Sequence, residues 1–126
     1  MMKVTEEKNK KIGDMIFGDI YPLYLNRLVK HGRTEEELQQ VIKWFMGFDK
    51  KALKKLIDQG ATYRTVFSKA KIHQNEHMIK GVVCGYRIEE IEDQFELYKR
   101  VRQMEKLIDE LAKGRKMEKI MRTEKK

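Results

Sequence analysis

Apolar residues return every three to four positions along most of the chain, and glycines punctuate the runs. Tyr21, Tyr24, Leu25, Leu28 and Val29 keep that spacing as far as Gly32. Asp19 is the expected N-cap of this helix, which puts Pro22, the only proline, in the first turn, where its missing N–H costs little. Thr34 followed by Glu37 matches a capping box ahead of Leu38, Val41, Ile42 and Phe45, and Gly47 ends that run. Asp49 caps a third helix whose Ala52, Leu53, Leu56 and Ile57 turn inward while Lys50, Lys51, Lys54 and Lys55 face water, closed by Gly60. Thr62 opens a shorter fourth helix with Tyr63, Val66, Phe67 and Ala70 on its buried side.

Residues 71–75 are polar and read as a connector. The following segment, MIKGVVCGYRI, is apolar but irregular, and its two glycines break any long helix. Asp93 and Glu96 form a second capping box and open the longest helix, which runs to about Lys113 with Gly114 as its stop. Leu97, Val101, Met104, Ile108 and Leu111 follow the a/d spacing of a coiled coil over about two heptads, too few for a confident zipper, so a core helix is the preferred reading. Met117, Ile120 and Met121 add a last apolar turn. No segment alternates with period two for long enough to require a sheet. The fold class is therefore all-α, a single compact domain of about five or six helices with a long C-terminal helix. Its expected boundaries are a polar basic tail over 1–12, the helical body over 13–122, and a polar tail over 123–126.

Length supports this division, since 126 residues bury one core but not two. The N-terminus has charge without an apolar run, and no stretch approaches the length of apolar chain that spans a bilayer. A single cysteine, Cys84, cannot form an internal disulfide, so a reducing cytoplasm is the expected compartment and no membrane partner is expected. The formal net charge of +8 would suggest an acidic partner, but residues 1–12 carry +2 and residues 114–126 carry +4 of it. Within the body the sign alternates: residues 49–71 sum to +5 and residues 88–93 to −4. That describes a dipolar surface with solvated ends more than a nucleic-acid stripe.

Four blocks, IYPLYLNR, GRTEEELQQVIKWFMGF, IKGVVCGYRIEEIED and KLIDELAKGRKMEKIMR, in this order and spacing, resemble the prokaryotic domain-of-unknown-function family 2200 over about residues 12–122. The resemblance implies a small soluble protein and supplies no catalytic residue. One departure shows: the family commonly has Asp-Pro where this chain reads Asp93-Gln94, and that proline would be the first residue of the long helix.

Candidate chemistry is sparse. His73, Glu76 and His77 spell H-x-x-E-H, the inverted zinc-protease motif, in which two histidines one helical turn apart would share a metal. The chain is short for a protease, and Asn75 invites a turn. Glu89, Glu90, Glu92 and Asp93 could hold a hard cation, and their first half resembles the E-x-x-E of all-α nucleotide pyrophosphohydrolases. The required E-x-x-D is missed, because Glu105 and Asp109 are four apart. Ser68, the sole serine, lies in no nucleophile elbow, Cys84 sits in an apolar run, and no phosphate-binding glycine loop is present. No cofactor, resident metal or catalytic residue is expected, with Glu89, Glu92, Asp93, His73 and His77 the weak metal candidates.

Helices three and four could form a helix-turn-helix, with Arg64 and Lys69 on the reading helix and Lys50, Lys54 and Lys71 on phosphates. Short helix pairs joined through glycine are common without any role on DNA, so nucleic acid is an alternative and not the favoured partner. The favoured reading is a non-enzymatic interaction module, binding an unidentified protein or a second copy of itself. Its expected surfaces are the Leu97, Val101 and Met104 seam or the Trp44, Phe45 and Phe48 face; Trp44 is either an exposed anchor or part of the core.

Overall fold

Short polar side chains start four of the helices. The computed structural model of the chain describes residues 3–122. In it Thr5 Oγ1 accepts the Lys8 N–H at 3.2 Å and opens α1 (Glu6–Gly13). Thr34 and Glu37 form the full capping box of α3 (Glu35–Met46), Asp49 Oδ1 accepts the Ala52 N–H at 2.8 Å to open α4 (Lys50–Asp58), and Thr62 caps α5 (Tyr63–Lys69). Each such acceptor satisfies an amide the helix cannot, worth about 1 kcal/mol. Gly47 ends α3 at φ +82°, a left-handed conformation that turns the chain directly into Asp49 and α4.

Between α1 and α3 lies α2 (Phe17–Lys30), which begins earlier than the sequence suggests and lacks a side-chain cap. Its start is fixed from across the fold. The Phe17 N–H donates to the Ala61 carbonyl and the Tyr63 N–H to the Met15 carbonyl, both at 2.9 Å, so Ile16 and Thr62 pair as an isolated β-bridge. Asp19 is consequently inside the first turn and not the cap. Pro22 sits one and a half turns into the helix, where it removes the bond to the Gly18 carbonyl.

After α5 the chain is extended over 70–73, then forms a 3₁₀ turn (Gln74–Met78) and a two-stranded antiparallel hairpin, β1 (Val82–Val83) with β2 (Tyr86–Arg87). Cys84 and Gly85 at its tip both have positive φ, +52° and +84°, the signature of the type I′ turn whose twist matches a tight hairpin. The irregular glycine-containing segment is thus a hairpin, with Gly85 supplying the backbone angle of its tip. Two 3₁₀ turns (Ile88–Glu90 and Asp93–Phe95) lead to α6 (Glu96–Ala112), and α7 (Met117–Ile120) closes the described chain.

The expected Asp93–Glu96 capping box is not formed. A 3₁₀ turn occupies those residues and Phe95 stands at the cap without a side-chain bond. The Tyr98 N–H is satisfied instead by Asn9 Oδ1 of α1 at 2.8 Å, so one helix caps another. Residues 6–12, read from sequence as part of a polar tail, therefore belong to a structural helix, α1, packed on α6 with Ile12 buried. The expected tail over 123–126 lies outside the described residues.

The architecture is all-α, with seven α-helices among the described residues, against the five or six expected, and the small hairpin. Its axis is α6. Val101, Met104, Leu107, Ile108 and Leu111 are buried, and α1, α2, α3, α5, α7 and the hairpin all pack on this helix. The facing apolar layer comes from Phe17 and Leu28 of α2 with Leu38, Val41, Ile42 and Phe45 of α3. Truncating any of these to Ala would cost about 2–5 kcal/mol.

Candidate functional site

Every carboxylate and imidazole proposed for metal is engaged in a different local contact. His73 Nδ1 accepts the Asn75 N–H at 2.9 Å, which makes His73 the cap of the 3₁₀ turn, and its ring stacks on Trp44 at 4.4 Å. His77 Nδ1 contacts the Gln74 carbonyl at 3.1 Å. Glu76 accepts from Arg100 Nη1 and Gln103 Nε2, each at 2.7 Å. Burial would raise the Glu76 pKa, but these two donors outweigh it and hold the carboxyl below its ordinary range.

The acidic cluster is equally dispersed. Glu89 accepts the Gly81 N–H at 2.9 Å, Glu92 accepts from Gln94, Glu90 faces Arg87 at 3.8 Å, and Asp93 faces Lys99 at 3.7 Å. Glu105 pairs with Arg102, and Asp109 with Arg27 and Lys113. Among the described residues no three His, Cys, Asp or Glu side chains converge on a point that could hold a metal ion.

The two interaction surfaces read from sequence lie largely inside the protein. Val101 and Met104 are 1% and 0% exposed, and Phe45 and Phe48 are buried. Leu97 is half-buried, its Cδ2 so close to Gly13 that a Cβ added there would stand 2.3 Å away. A glycine in α1 thus lets α1 lie directly on α6. Trp44 is half-buried between Phe45 and His73, its indole N–H without a partner among the described residues. The heptad spacing reported a core stripe, because seven-residue periodicity marks whichever face a straight helix buries, whether the partner is another chain or its own fold.

For the nucleic-acid candidates, α4 and α5 are joined by a tight turn as expected, but α5 has only seven residues and is flanked on both sides. Arg64 is pinned to Asp14 at 2.8 Å and to the Lys10 carbonyl at 3.1 Å, facing α1 and not solvent alone. Lys54 pairs with Asp58 at 2.8 Å, the Lys71 N–H donates to the Met46 carbonyl, and Lys50 and Lys69 are exposed.

Along α6 runs a polar ladder that the sequence did not disclose. Lys8 donates to the Tyr86 hydroxyl at 2.9 Å; Arg102 lies over the Tyr86 and Tyr98 rings, donates to the Tyr98 hydroxyl at 2.7 Å and pairs with Glu105. The Cys84 thiol, exposed at the hairpin tip, ends the ladder 3.4 Å from Glu105. Partial burial and the Glu105 charge push that thiol's pKa up, which disfavours the thiolate. The ladder ties α1, the hairpin and α6 together.

A groove remains where α2, α3 and α4 meet. Tyr21, Leu53 and Ile57 form its floor; Glu35 and Gln39 stand on the α3 side, and Lys50, Lys54 and Asp58 on the α4 side, around a volume of about 340 Å³. The floor exists because Gly18 brings α2 against α4: an added Cβ would meet Ile57 Cγ2 at 3.3 Å. Tyr21 donates to Glu35 at 2.9 Å, and burial plus this carboxylate raise its pKa to about 12, so the phenol stays a donor. Beyond the groove the same stripe of α2 carries Pro22 and Val29 into solvent, Val29 being 59% exposed. The sequence missed the site because three helices contribute to it. The available signal was the mixed face of α4, Lys50, Leu53, Lys54 and Ile57, which alternates charge with apolar side chains at helical spacing.

The fold defines a class: a small helical protein built on a long helix near its C-terminus, braced by a hairpin, with a groove between α2, α3 and α4. The chain belongs to the family described as uncharacterized protein conserved in bacteria (DUF2200), whose model matches residues 11–122. It is also similar to the crystal structure of the uncharacterized protein SP1917, at 30% identity and a TM-score of 0.81, covering 89% of this chain and 91% of that one. A search of curated proteins found no match.

Proposed function

We propose that this protein is a non-enzymatic interaction module that receives a partner in the groove between α2, α3 and α4. The observation that supports it is the composition of that groove: an apolar floor of Tyr21, Leu53 and Ile57 edged by charged side chains of both signs. Recognition clefts take this form, with anchors below and a polar rim above. The residues with chemical potential elsewhere are each occupied in bonds that hold the fold, as Glu76, Glu105 and His73 illustrate. Nucleic acid has less geometry behind it, since α5 has only seven residues and its Arg64 is tied to Asp14.

The partner is another protein in the cytoplasm or a second copy of the chain. Lone cysteine usage agrees with that compartment, and among the described residues no helix is long and apolar enough to cross a membrane. The test is capture from native lysate, after nuclease treatment, with the tagged wild-type chain and with Ile57→Asp at the half-buried groove floor. The wild type should retain a stoichiometric protein that the variant loses while both keep the same melting temperature. Equal capture by the two would remove the groove from consideration.

A further inference from the structure

Helix α2 packs one side against α3, α4 and α6 and turns the other outward. Six large apolar side chains are exposed among the described residues, and four of them, Met15, Ile16, Leu23 and Val29, lie on α2 or just before it. Single exposed apolar residues are ordinary, whereas a concentration on one helix marks a surface that meets something. Ile16, half-buried Ile20 and Leu23 fall at i, i+4 and i+7 and form one stripe, with Ile16 41% and Leu23 60% exposed. Asp19, Asn26 and Lys30 complete the outward side. Arg27 on its flank is held by Asp109, but Asp19 and Lys30 make no ion pair among the described residues. The face thus has a free carboxylate near its start, a free ammonium at its end and apolar side chains between them.

We infer that the outer face of α2 is the contact surface of a two-fold symmetric homodimer, in which two copies of α2 lie antiparallel about an axis between Leu23 and Asn26. By helical geometry that axis sets Asp19 opposite Lys30 of the second copy, twice over, brings Leu23 onto Asn26 of the second copy, and places Val29 beside Pro22 of the second copy. The charge order selects this arrangement. A parallel pair would set Asp19 on Asp19 and Lys30 on Lys30 and align the two helix dipoles, while the antiparallel pair converts each of these repulsions into an attraction. An anionic membrane surface would be repelled by Asp19 at one end of the stripe. Only +2 of the formal +8 lies in residues 13–113, so the helical body brings little net repulsion to the contact. The interface is one helix pair wide, short of the roughly 1,200 Å² that stable complexes bury, so the dimer forms and dissociates with concentration. This face shares no residue with the groove between α2, α3 and α4, and the two readings stand or fall separately.

Sedimentation equilibrium of the full chain from about 1 to about 500 μM tests the dimer. The wild type should pass from monomer to dimer mass across that range, and Leu23→Lys should stay monomeric. Asp19→Lys and Lys30→Asp should each weaken association about tenfold, and the two together should restore it, because the pair is then reversed on both sides of the axis. Thermal melts establish that each variant is folded. A covalent trap needs no destabilising charge: in a Cys84→Ser chain, Asn26→Cys should oxidise to a disulfide-linked dimer faster than Gln59→Cys, a control at another exposed position.

Monomer mass throughout for the wild type would overturn the inference. So would a dimer indifferent to Leu23→Lys in folded protein, a double reversal that fails to restore association, or equal oxidation of the two cysteine variants. Ile57→Asp should dimerise as the wild type does; a dimer lost in that variant and kept in Leu23→Lys would move the contact into the groove. If lysate capture ignores Ile57 while the dimer persists, the groove reading fails and this one stands.

Discussion

The phenolic oxygens of Tyr24 and Tyr63 lie 2.6 Å apart in the core, and each is the other's only hydrogen-bond partner among the described residues. This bond ties α2 to α5 where neither helix has a polar alternative. Removing one hydroxyl leaves the other buried and unpaired, so Tyr24→Phe and Tyr63→Phe should each cost about 1–3 kcal/mol, and the double variant much less than their sum. Urea unfolding of the four proteins measures the cycle; additive losses would mean that the bond contributes nothing to stability.

The same pair sets an alkaline limit. Burial raises both phenols, and for Tyr24 the neighbouring Tyr63 adds to it, so the folded protein keeps protons that the unfolded chain releases from about pH 10. A folded pKa above the unfolded value means stability that is intact below pH 10 and declines as pH rises beyond it. The double Phe variant should show a flatter decline in melting temperature between about pH 10 and 12.

Glu76 predicts the acid side. Its burial is outweighed by the bonds from Gln103 and Arg100, which lower its folded pKa below the ordinary 4.5. It therefore stabilises the fold above that value, and the contribution disappears as pH falls through the folded pKa. Glu76→Gln should lower the melting temperature near neutrality and leave less further loss on acidification. Parallel curves for the two proteins from pH 7 down to about 3 would refute the assignment.

Cys84 occupies a left-handed position that suits glycine or asparagine better. Cys84→Asn, giving the Asn-Gly pair preferred in type I′ turns, should raise stability by about 0.5–1 kcal/mol in chemical denaturation. In the wild type the thiol should react with a disulfide reagent at pH 7 more slowly than a free cysteine peptide, and Glu105→Gln should speed it, because the carboxylate that disfavours the thiolate is then gone.

Asn9 acts on a helix 89 residues away in sequence. Asn9→Ala removes the acceptor for the Tyr98 N–H and should cost about 1 kcal/mol. Hydrogen exchange should accelerate at the first turn of α6 and not at α3, whose Thr34–Glu37 box is self-contained. Unchanged exchange at Tyr98 would show that α6 begins without this cap.

Elements that carry their own start and stop were legible from the chain. Thr34 with Glu37, Asp49, Thr62 and Gly47 all act as the local pattern implies, since each bond closes within a few residues. The start of α2 was not legible: its amide partners, Ala61 and Met15 with Tyr63, come together only after α5 has docked. The same holds for the start of α6, where Asn9 replaces the expected box. The candidate site divides in the same way. The lysine band of α4 is visible in the sequence, whereas its apolar neighbour Tyr21 and the Gly18 contact that creates the floor are not.

The sequence by itself determined the helical class, most helix boundaries and the identity of the buried stripe on α6, because helical periodicity and capping are short-range consequences of backbone hydrogen bonding. Tertiary structure alone decided that this stripe faces inward and not toward a partner, that the hairpin tip meets Glu105, and that three helices leave a groove beside a row of lysines. Those relations depend on side chains far apart in the chain, and only the packing of one particular core brings them within reach.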